Sequence, residues 1–195
     1  VVLPDGERLH LGGRASDALG YDLVGAFVGS EGTFGVVVEV EVRILKKPEA
    51  VKTVLAVFDE MDDASRAVSG IIAAGIIPAA IEMMDNLSIQ AVEAAVNAGY
   101  PTDAGAVLLV ELDGLAAGLG AQTAVIERVL RDCRVREIRV ARDEAERALL
   151  WKGRKNAFGA MGRISPDYYV QDAVIPRTRL LPTLRVVEEA AARQG

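Results

Sequence analysis

Trp151 and Arg154 are the best candidates in this sequence for binding a small anion. In a helix they fall on one stripe with Arg147 and Phe158, at spacings of four, three and four residues. A guanidinium is always charged and presents a planar fork of N–H donors to a carboxylate, and aromatic faces are favourable neighbours for it. From the residues alone, the stripe fits either a carboxylate clamp or a surface arginine packed on Trp151.

A second cation, Arg177, directly follows the segment Asp172-Ala173-Val174-Ile175-Pro176. Because the proline ring restricts the backbone, Arg177 should leave the preceding segment in a defined direction. Arg177 could help to bind an anion, but an ion pair with Asp172 or Glu188 is the simpler expectation.

Two acids, Glu82 and Asp85, lie near the end of a predicted strand. An acid at such a position could be a base, a helix N-cap or the partner of an arginine. Asp85 precedes Asn86-Leu87-Ser88, where a helical pattern starts, and it is therefore predicted to cap that helix.

The segment Gly29-Ser30-Glu31-Gly32-Thr33-Phe34-Gly35 has three glycines at three-residue spacing, directly before the alternating run Val36–Ile44. The alternation predicts a strand with one buried face. Glycines suit a tight connection where a bulky ligand approaches the backbone, and equally a strained loop without a ligand. The pattern is not the Rossmann dinucleotide fingerprint, because that motif opens a helix and here a strand is predicted to follow.

Composition limits the remaining possibilities. The 195 residues are 51% hydrophobic, enough for one or two domains, and the net charge of −6 with mixed signs does not indicate a nucleic-acid surface. The single histidine, His10, excludes a histidine-based triad or a multi-histidine metal site within this chain. The single cysteine, Cys133, excludes an intramolecular disulfide and fits a reducing compartment. No segment is apolar for the length of a membrane span.

The predicted secondary structure changes near Lys46-Lys47-Pro48. Residues 1–48 are predicted to be β-rich, with an Asp5-Gly6 hairpin. Residues 49–195 alternate between strands and helices, including a long helix over 144–161, a strand over 168–175 and a last helix over 182–193. The predicted fold class is α+β, an antiparallel sheet with helices on one face.

Several segments together resemble the FAD-linked oxidases, which include flavin subunits of glycolate oxidase and D-lactate and D-2-hydroxyglutarate dehydrogenases. They are Tyr21-Asp22-Leu23 with the residues from Phe27 to Gly35, Pro78–Asp85, Val140–Arg147, Leu150–Arg154 and Asp172–Arg177. The resemblance implies that residues 1–48 end a PCMH-type FAD-binding domain. Residues 49–195 would be a truncated, ferredoxin-like cap domain over the reactive edge of the flavin.

The resemblance also implies roles for residues. Arg154 would hold the carboxylate of a 2-hydroxy acid, with Trp151 and Arg177 as further substrate-binding candidates. The cofactor-binding candidates are Gly29, Ser30, Glu31, Gly32, Thr33 and Gly35. The implied reaction passes a hydride from the α-carbon of the substrate to FAD while an unidentified base takes the hydroxyl proton.

A chain that starts in a hairpin and ends on a helical pattern is predicted to be a fragment. The family's pyrophosphate loop would precede Val1 and its histidine-rich metal motif would follow Gly195, so the fragment alone is predicted to bind FAD poorly and to be inactive. The resemblance further implies redox partner subunits and a cytoplasmic protein, which could associate with the inner membrane face through those partners. It does not determine whether the protein forms an oligomer. Two alternatives stand beside this interpretation: a non-catalytic subunit-docking module, and a flavin-dependent enzyme like the ether-lipid synthases.

Overall fold

A computed structural model describes residues 1–14 and 20–194 and divides the chain into two compact units, Val1–Lys46 and Lys47–Gly195. In the first unit, Val2 forms isolated antiparallel bridges with Arg8 and with Val36. The bridge to Arg8 closes the predicted hairpin at the chain start. Helix α1 (Leu23–Phe27) follows, with the Asp22 carboxylate accepting the N–H of Gly25 at 2.9 Å.

The predicted strand Val36–Ile44 is wrong beyond its first residue. After the bridge at Val36, residues 37–48 have no regular secondary structure. Between 55% and 87% of the residue surface is exposed at Val36, Val38, Val40, Val42 and Ile44. A strand needs a neighbour for its backbone N–H and C=O groups, and among the described residues this segment has that neighbour only at Val2.

The second unit contains a four-stranded, wholly antiparallel sheet in the order β2-β3-β1-β4. Its strands are β1 (Ala50–Phe58), β2 (Ala80–Asp85), β3 (Ala106–Gly114) and β4 (Glu137–Val140). Its helices are α2 (Met61–Ala73), α3 (Asn86–Val96), α4 (Ala116–Asp132), α5 (Glu144–Lys155), α6 (Ala157–Met161) and α7 (Leu180–Gln194). The predicted α+β class is confirmed for this unit.

Helices cover both faces of the sheet, so the prediction of helices on one face is wrong. One core joins the sheet to α2 and α4 through residues such as Ile71 and Ile126. The other joins it to α3, α5 and α6 through residues such as Ile89 and Leu150. The physical reason is visible in the strands: Val54–Phe58 of β1 is buried at every position, as a strand covered on both faces must be.

Two further predictions fail near the C-terminus. The predicted helix over 144–161 is broken at Asn156, which separates α5 from α6. The predicted strand over 168–175 has no regular structure, and side chains such as Tyr169 and Val174 are largely exposed there. The predicted last helix is present as α7, preceded by a 3₁₀ turn over Arg177–Arg179.

Candidate functional site

Helix α5 presents the predicted stripe to the sheet. It begins at the Asp143 cap, whose carboxylate accepts the N–H of Glu146 at 2.8 Å. Arg147, Trp151 and Arg154 all bond to carboxylates on β2 or β3. The stripe ends there, since Phe158 belongs to the separate helix α6 and is exposed.

Glu111 of β3 is the centre of this arrangement. Its Oε2 atom accepts hydrogen bonds from Thr53 Oγ1 at 2.8 Å, Arg147 Nη1 at 2.9 Å and Trp151 Nε1 at 2.6 Å. Thr53 lies opposite Glu111 in the register of β1 and β3. Because one carboxylate oxygen bonds to three side chains, Glu111 fixes the position of the Trp151 ring and of the Arg147 guanidinium.

Arg154 is bound by Glu82 of β2. The Oε2 atom of Glu82 lies 3.0 Å from Nε and 2.8 Å from Nη2 of Arg154. Of the alternatives for Glu82, the structure shows the arginine partner. The Arg154 side chain keeps 28% of its surface exposed, and within residues 1–14 and 20–194 its Nη1 has no assigned hydrogen bond. The Arg154 guanidinium is therefore held by Glu82 through Nε and Nη2, whereas its Nη1 group is available to bind another acceptor.

Arg147 also bonds to an acid of its own helix. Its Nε and Nη2 atoms each donate to the Glu144 carboxylate, at 2.8 and 2.9 Å. These hydrogen bonds hold the pKa of Arg147 above its ordinary value and lower the pKa of Glu144. Both arginines of the stripe are thus already paired with acids of this chain.

Close packing beneath α5 fixes its height above the sheet. A β-carbon placed on Gly153 would lie 2.7 Å from Ala98 Cβ and 2.8 Å from the Tyr100 ring, so only glycine allows this approach. Burial raises the pKa of the Tyr100 phenol, whose hydroxyl donates to the carbonyl of Leu150. The backbone that carries Trp151 and Arg154 is therefore tightly supported.

Asp85 occupies the position that the sequence predicts. Its Oδ1 atom accepts the N–H of Ser88 at 2.9 Å and caps α3, so the capping prediction is confirmed. Arg177 lies in the exposed 3₁₀ turn. In the part of the chain that the structure describes, it forms no ion pair with Asp172 or Glu188, contrary to the simpler expectation.

The glycine segment lies in the first unit. Gly29 and Gly32 adopt positive φ angles of 83° and 81°, and a β-carbon added at either would meet nothing within 4 Å. The Thr33 hydroxyl donates to the Ser30 carbonyl at 2.6 Å and closes the turn. The sequence also suggests that the Glu31 side chain could hydrogen-bond to nearby amides of this turn. Glu31, at φ 50°, makes no side-chain hydrogen bond among the described residues.

At Gly35, glycine is required by close packing, because an added β-carbon would lie 2.6 Å from the Val2 carbonyl oxygen. The open space beside Gly29 and Gly32 fits the close approach of a ligand as bulky as a flavin to the backbone. A groove of about 990 Å³ in the same unit is lined partly by Phe27 and Val28, but none of the residues Gly29–Gly35 lines it.

Within residues 1–14 and 20–194, no group of three or more His, Cys, Asp or Glu side chains could hold a metal ion. No helix of these ranges has both the length and the apolar character that crossing a bilayer requires.

Sequence reasoning missed Glu111 and left Glu82 undecided. The signal at Glu111 is a lone acid in the apolar run Ala106–Leu112, which should stand out in a buried strand. Its partners could not be identified, because the strand register and the helix position are both needed to bring them together.

Comparison with known proteins gives consistent results. The model for "FAD linked oxidases, C-terminal domain" matches residues 47–195. Glycolate oxidase subunit GlcD of Escherichia coli (strain K12) is 52% identical over 178 residues, which are 91% of this chain and 36% of that protein. Glycolate oxidase subunit GlcD of Bacillus subtilis (strain 168) is 38% identical over 194 residues, 99% of this chain and 41% of that protein.

One more distant relative and one solved structure also match most of this chain. The probable mitochondrial D-lactate dehydrogenase of Danio rerio is 32% identical over 186 residues, covering 92% of this chain and 37% of that protein. A solved structure of alkyldihydroxyacetonephosphate synthase has a TM-score of 0.67 at 15% identity, covering 89% of this chain and 37% of that one. At this identity the likeness shows the fold. The chain spans from 36% to 41% of the length of these curated relatives.

Proposed function

The chain belongs to the FAD-linked oxidases through their C-terminal domain. We propose that it is part of an FAD-dependent 2-hydroxy-acid dehydrogenase of the glycolate or D-lactate type. The observation that carries the proposal is the 52% identity over 91% of this chain to a glycolate oxidase subunit. Bound FAD would supply the two-electron oxidation of the carbon that bears the hydroxyl group.

Arg154 is the proposed ligand of the substrate carboxylate. Its guanidinium is anchored by Glu82 and keeps N–H donors on Nη1, which supports binding of a second carboxylate in a fixed direction. Trp151, fixed by its bond to Glu111, would form an apolar wall beside it. Arg177, exposed and unpaired among the described residues, is proposed as a further contact to the anion.

The glycine segment is the proposed contribution of the first unit to FAD binding. The residues that would hold the cofactor are Gly29, Ser30, Glu31, Gly32, Thr33 and Gly35. The open backbone at Gly29 and Gly32 supports this assignment, and Ser30 and Thr33 add hydroxyl groups.

For the architecture, we propose that residues 1–48 complete a PCMH-type FAD-binding domain and that residues 49–195 form a ferredoxin-like cap. Strand order β2-β3-β1-β4 with a helix after β1 and after β3 supports the ferredoxin-like description, with α3 as an addition between β2 and β3. We further propose redox partner subunits, since two similar proteins are named as subunits. A cytoplasmic location is also proposed, on the family resemblance alone.

The test uses the full-length parent protein. Its visible spectrum is recorded anaerobically before and after addition of glycolate, D-lactate, L-lactate or D-2-hydroxyglutarate. We expect glycolate or D-lactate to bleach the bound flavin. A yellow protein that none of the four hydroxy acids reduces would contradict the substrate assignment. A colourless protein that cannot be reconstituted with FAD would contradict the proposal that the protein is a flavin enzyme.

Arg154→Ala tests the proposed carboxylate contact in the same protein. Loss of a charge-assisted bond to substrate costs about 1.5–3 kcal/mol, so KM for the hydroxy acid should rise roughly tenfold to a hundredfold. Arg131→Ala is the matched control, because Arg131 forms an exposed pair with Glu127 on α4, against the other face of the sheet. Equal KM values for the two variants would contradict the assignment of Arg154.

A further inference from the structure

Tyr100 bonds to the turn of α5 that carries Arg154. It lies after the end of α3, and only 3% of its surface is exposed. Its hydroxyl donates a hydrogen bond to the carbonyl of Leu150, which is also buried. In an α-helix that carbonyl is the acceptor for the N–H four residues later, which here belongs to Arg154. The phenol is therefore attached to the helical turn that ends at Arg154.

Resting on the proposed function, we propose that Tyr100 is a positioning residue for the substrate carboxylate, because its hydroxyl fixes the backbone from which the Arg154 side chain extends. Glu82 holds the other end of that side chain, through Nε and Nη2 of the guanidinium. With the backbone and the guanidinium both held, the remaining Nη1 donors have a set direction before the substrate arrives. Binding then does not have to order the side chain, which favours affinity.

The packing of Gly153 on Tyr100 supports this role. A β-carbon placed on Gly153 would lie 2.8 Å from Cε2 and 2.9 Å from the hydroxyl oxygen of Tyr100. The residue directly before Arg154 therefore lies against the phenol. The ring limits how closely α5 can approach the sheet, and the hydrogen bond to Leu150 resists its withdrawal. Together they fix the distance of this turn from the sheet.

Tyr100 is itself held by two other elements. The Glu93 carboxylate on α3 accepts the N–H of Gly99 at 3.1 Å and that of Tyr100 at 2.9 Å. Arg139 on β4 donates to the carbonyl of Gly99 at 3.1 Å. Burial raises the pKa of the phenol, against a smaller opposite effect of the Arg154 backbone N–H. The hydroxyl therefore stays protonated near neutral pH and remains a donor.

Tyr100→Phe in the full-length holoenzyme tests the proposal, because it keeps the ring and removes the hydroxyl. The measured quantity is the second-order rate constant of anaerobic flavin reduction by glycolate or D-lactate, whichever reduces the wild-type protein. We expect this constant to fall roughly threefold to tenfold, since the guanidinium is misplaced and not removed. An unchanged rate constant would overturn the proposal.

A double-mutant cycle separates positioning from general support of the fold. Because Tyr100 acts through Arg154, Tyr100→Phe should have no further effect on the rate constant in a protein that already carries Arg154→Ala. A structural role alone would lower the rate constant by the same factor in both backgrounds. That result would overturn the inference while leaving the assignment of Arg154 in place.

Thr123→Val is the matched control. Thr123 is buried on α4, against the other face of the sheet, and its hydroxyl donates to the helix carbonyl of Leu119 at 2.7 Å. Its replacement also removes a buried hydroxyl bonded to a helix carbonyl, and it should leave the rate constant unchanged. A decrease equal to that in Tyr100→Phe would contradict a role specific to Tyr100.

Glu93→Gln keeps the proposal testable should Tyr100→Phe fail to fold. The amide oxygen can replace only one of the two carboxylate oxygens that hold Gly99 and Tyr100. The rate constant should fall by about twofold to fivefold, again only where Arg154 is present. No change in Glu93→Gln would then overturn the inference. Failure of the proposed function is distinguishable, because in that case no hydroxy acid would reduce the flavin of the wild-type protein.

Discussion

The two units of the chain use similar apolar residues with opposite results. In the first, the valines from Val36 to Val42 are all at least half exposed, and within residues 1–14 and 20–46 only Gly35 is buried. In the second, every residue from Val54 to Phe58 is inaccessible to solvent. Apolar composition favours burial, but burial occurs only where another surface is available to cover the side chains.

Backbone hydrogen bonding shows the same contrast. Val36 exchanges two bonds of 2.8 Å with Val2, and regular pairing stops there. Strand β1 pairs with β3 from Ala50 to Phe58 and with β4 from Val54 to Val57. A strand between two neighbours satisfies both edges, whereas an alternating sequence without neighbours satisfies neither.

The largest effect should come from leucines in the two units. Leu108→Ala removes a fully buried side chain from the core beneath α2 and α4, and the free energy of unfolding should fall by about 2–5 kcal/mol. Leu45→Ala changes a residue that is 88% exposed and should alter it by less than about 0.5 kcal/mol. Urea denaturation of both variants measures the difference. Equal losses would show that Leu45 is buried in solution, contrary to the contrast between the two units.

A glycine pair sharpens the comparison within the second unit. Gly153→Ala forces a methyl group against Ala98 and Tyr100, and should destabilise the unit by about 1–3 kcal/mol. Gly159→Ala, in α6, places its methyl group in open space and should be neutral or stabilise by up to about 1 kcal/mol. Thermal unfolding of both variants gives the sign. A stabilising Gly153→Ala would show that α5 can move away from the sheet.

The smallest effect should come from the two aspartate caps. Asp143→Ala removes the cap of α5 and should cost about 1 kcal/mol in global unfolding, because α5 packs on the core through Leu150. Asp22 makes the same kind of bond to α1, a five-residue helix with no buried residue. Asp22→Ala should therefore leave the urea midpoint of the second unit unchanged. A shift of that midpoint as large as the one in Asp143→Ala would contradict this distinction.

The positions of α2 and α3 in the second unit were predictable because their signals are local. Asp85 marks the start of α3, and apolar residues at helical spacing predict a helix over residues 62–74, within a residue of the observed bounds of α2 at each end. Each signal depends on bonds or side-chain contacts within about one helical turn. The alternation over Val36–Ile44 is also local, yet a strand requires a partner from elsewhere, and this is why that prediction failed.

In the candidate site, too, local features were predictable and contacts between distant residues were not. The stripe Arg147-Trp151-Arg154 follows from helical spacing, and the sequence was sufficient to predict it. Its acidic partners were not predictable, since Glu82 and Glu111 lie 72 and 40 residues before the side chains they bind, Arg154 and Trp151. The break at Asn156, which removes Phe158 from the stripe, also escaped the periodic pattern.

Residue order alone was therefore enough to indicate the α+β class, the Asp85 cap and the cationic stripe, because these depend on patterns among neighbours in the chain. The family was indicated by the resemblance of several segments. The tertiary structure decided which faces of the sheet are covered and which carboxylates hold Arg147, Trp151 and Arg154. It also left the valines of the first unit exposed among the described residues. These outcomes depend on strand register and on packing between distant segments, and such contacts form only when the whole chain supplies both partners.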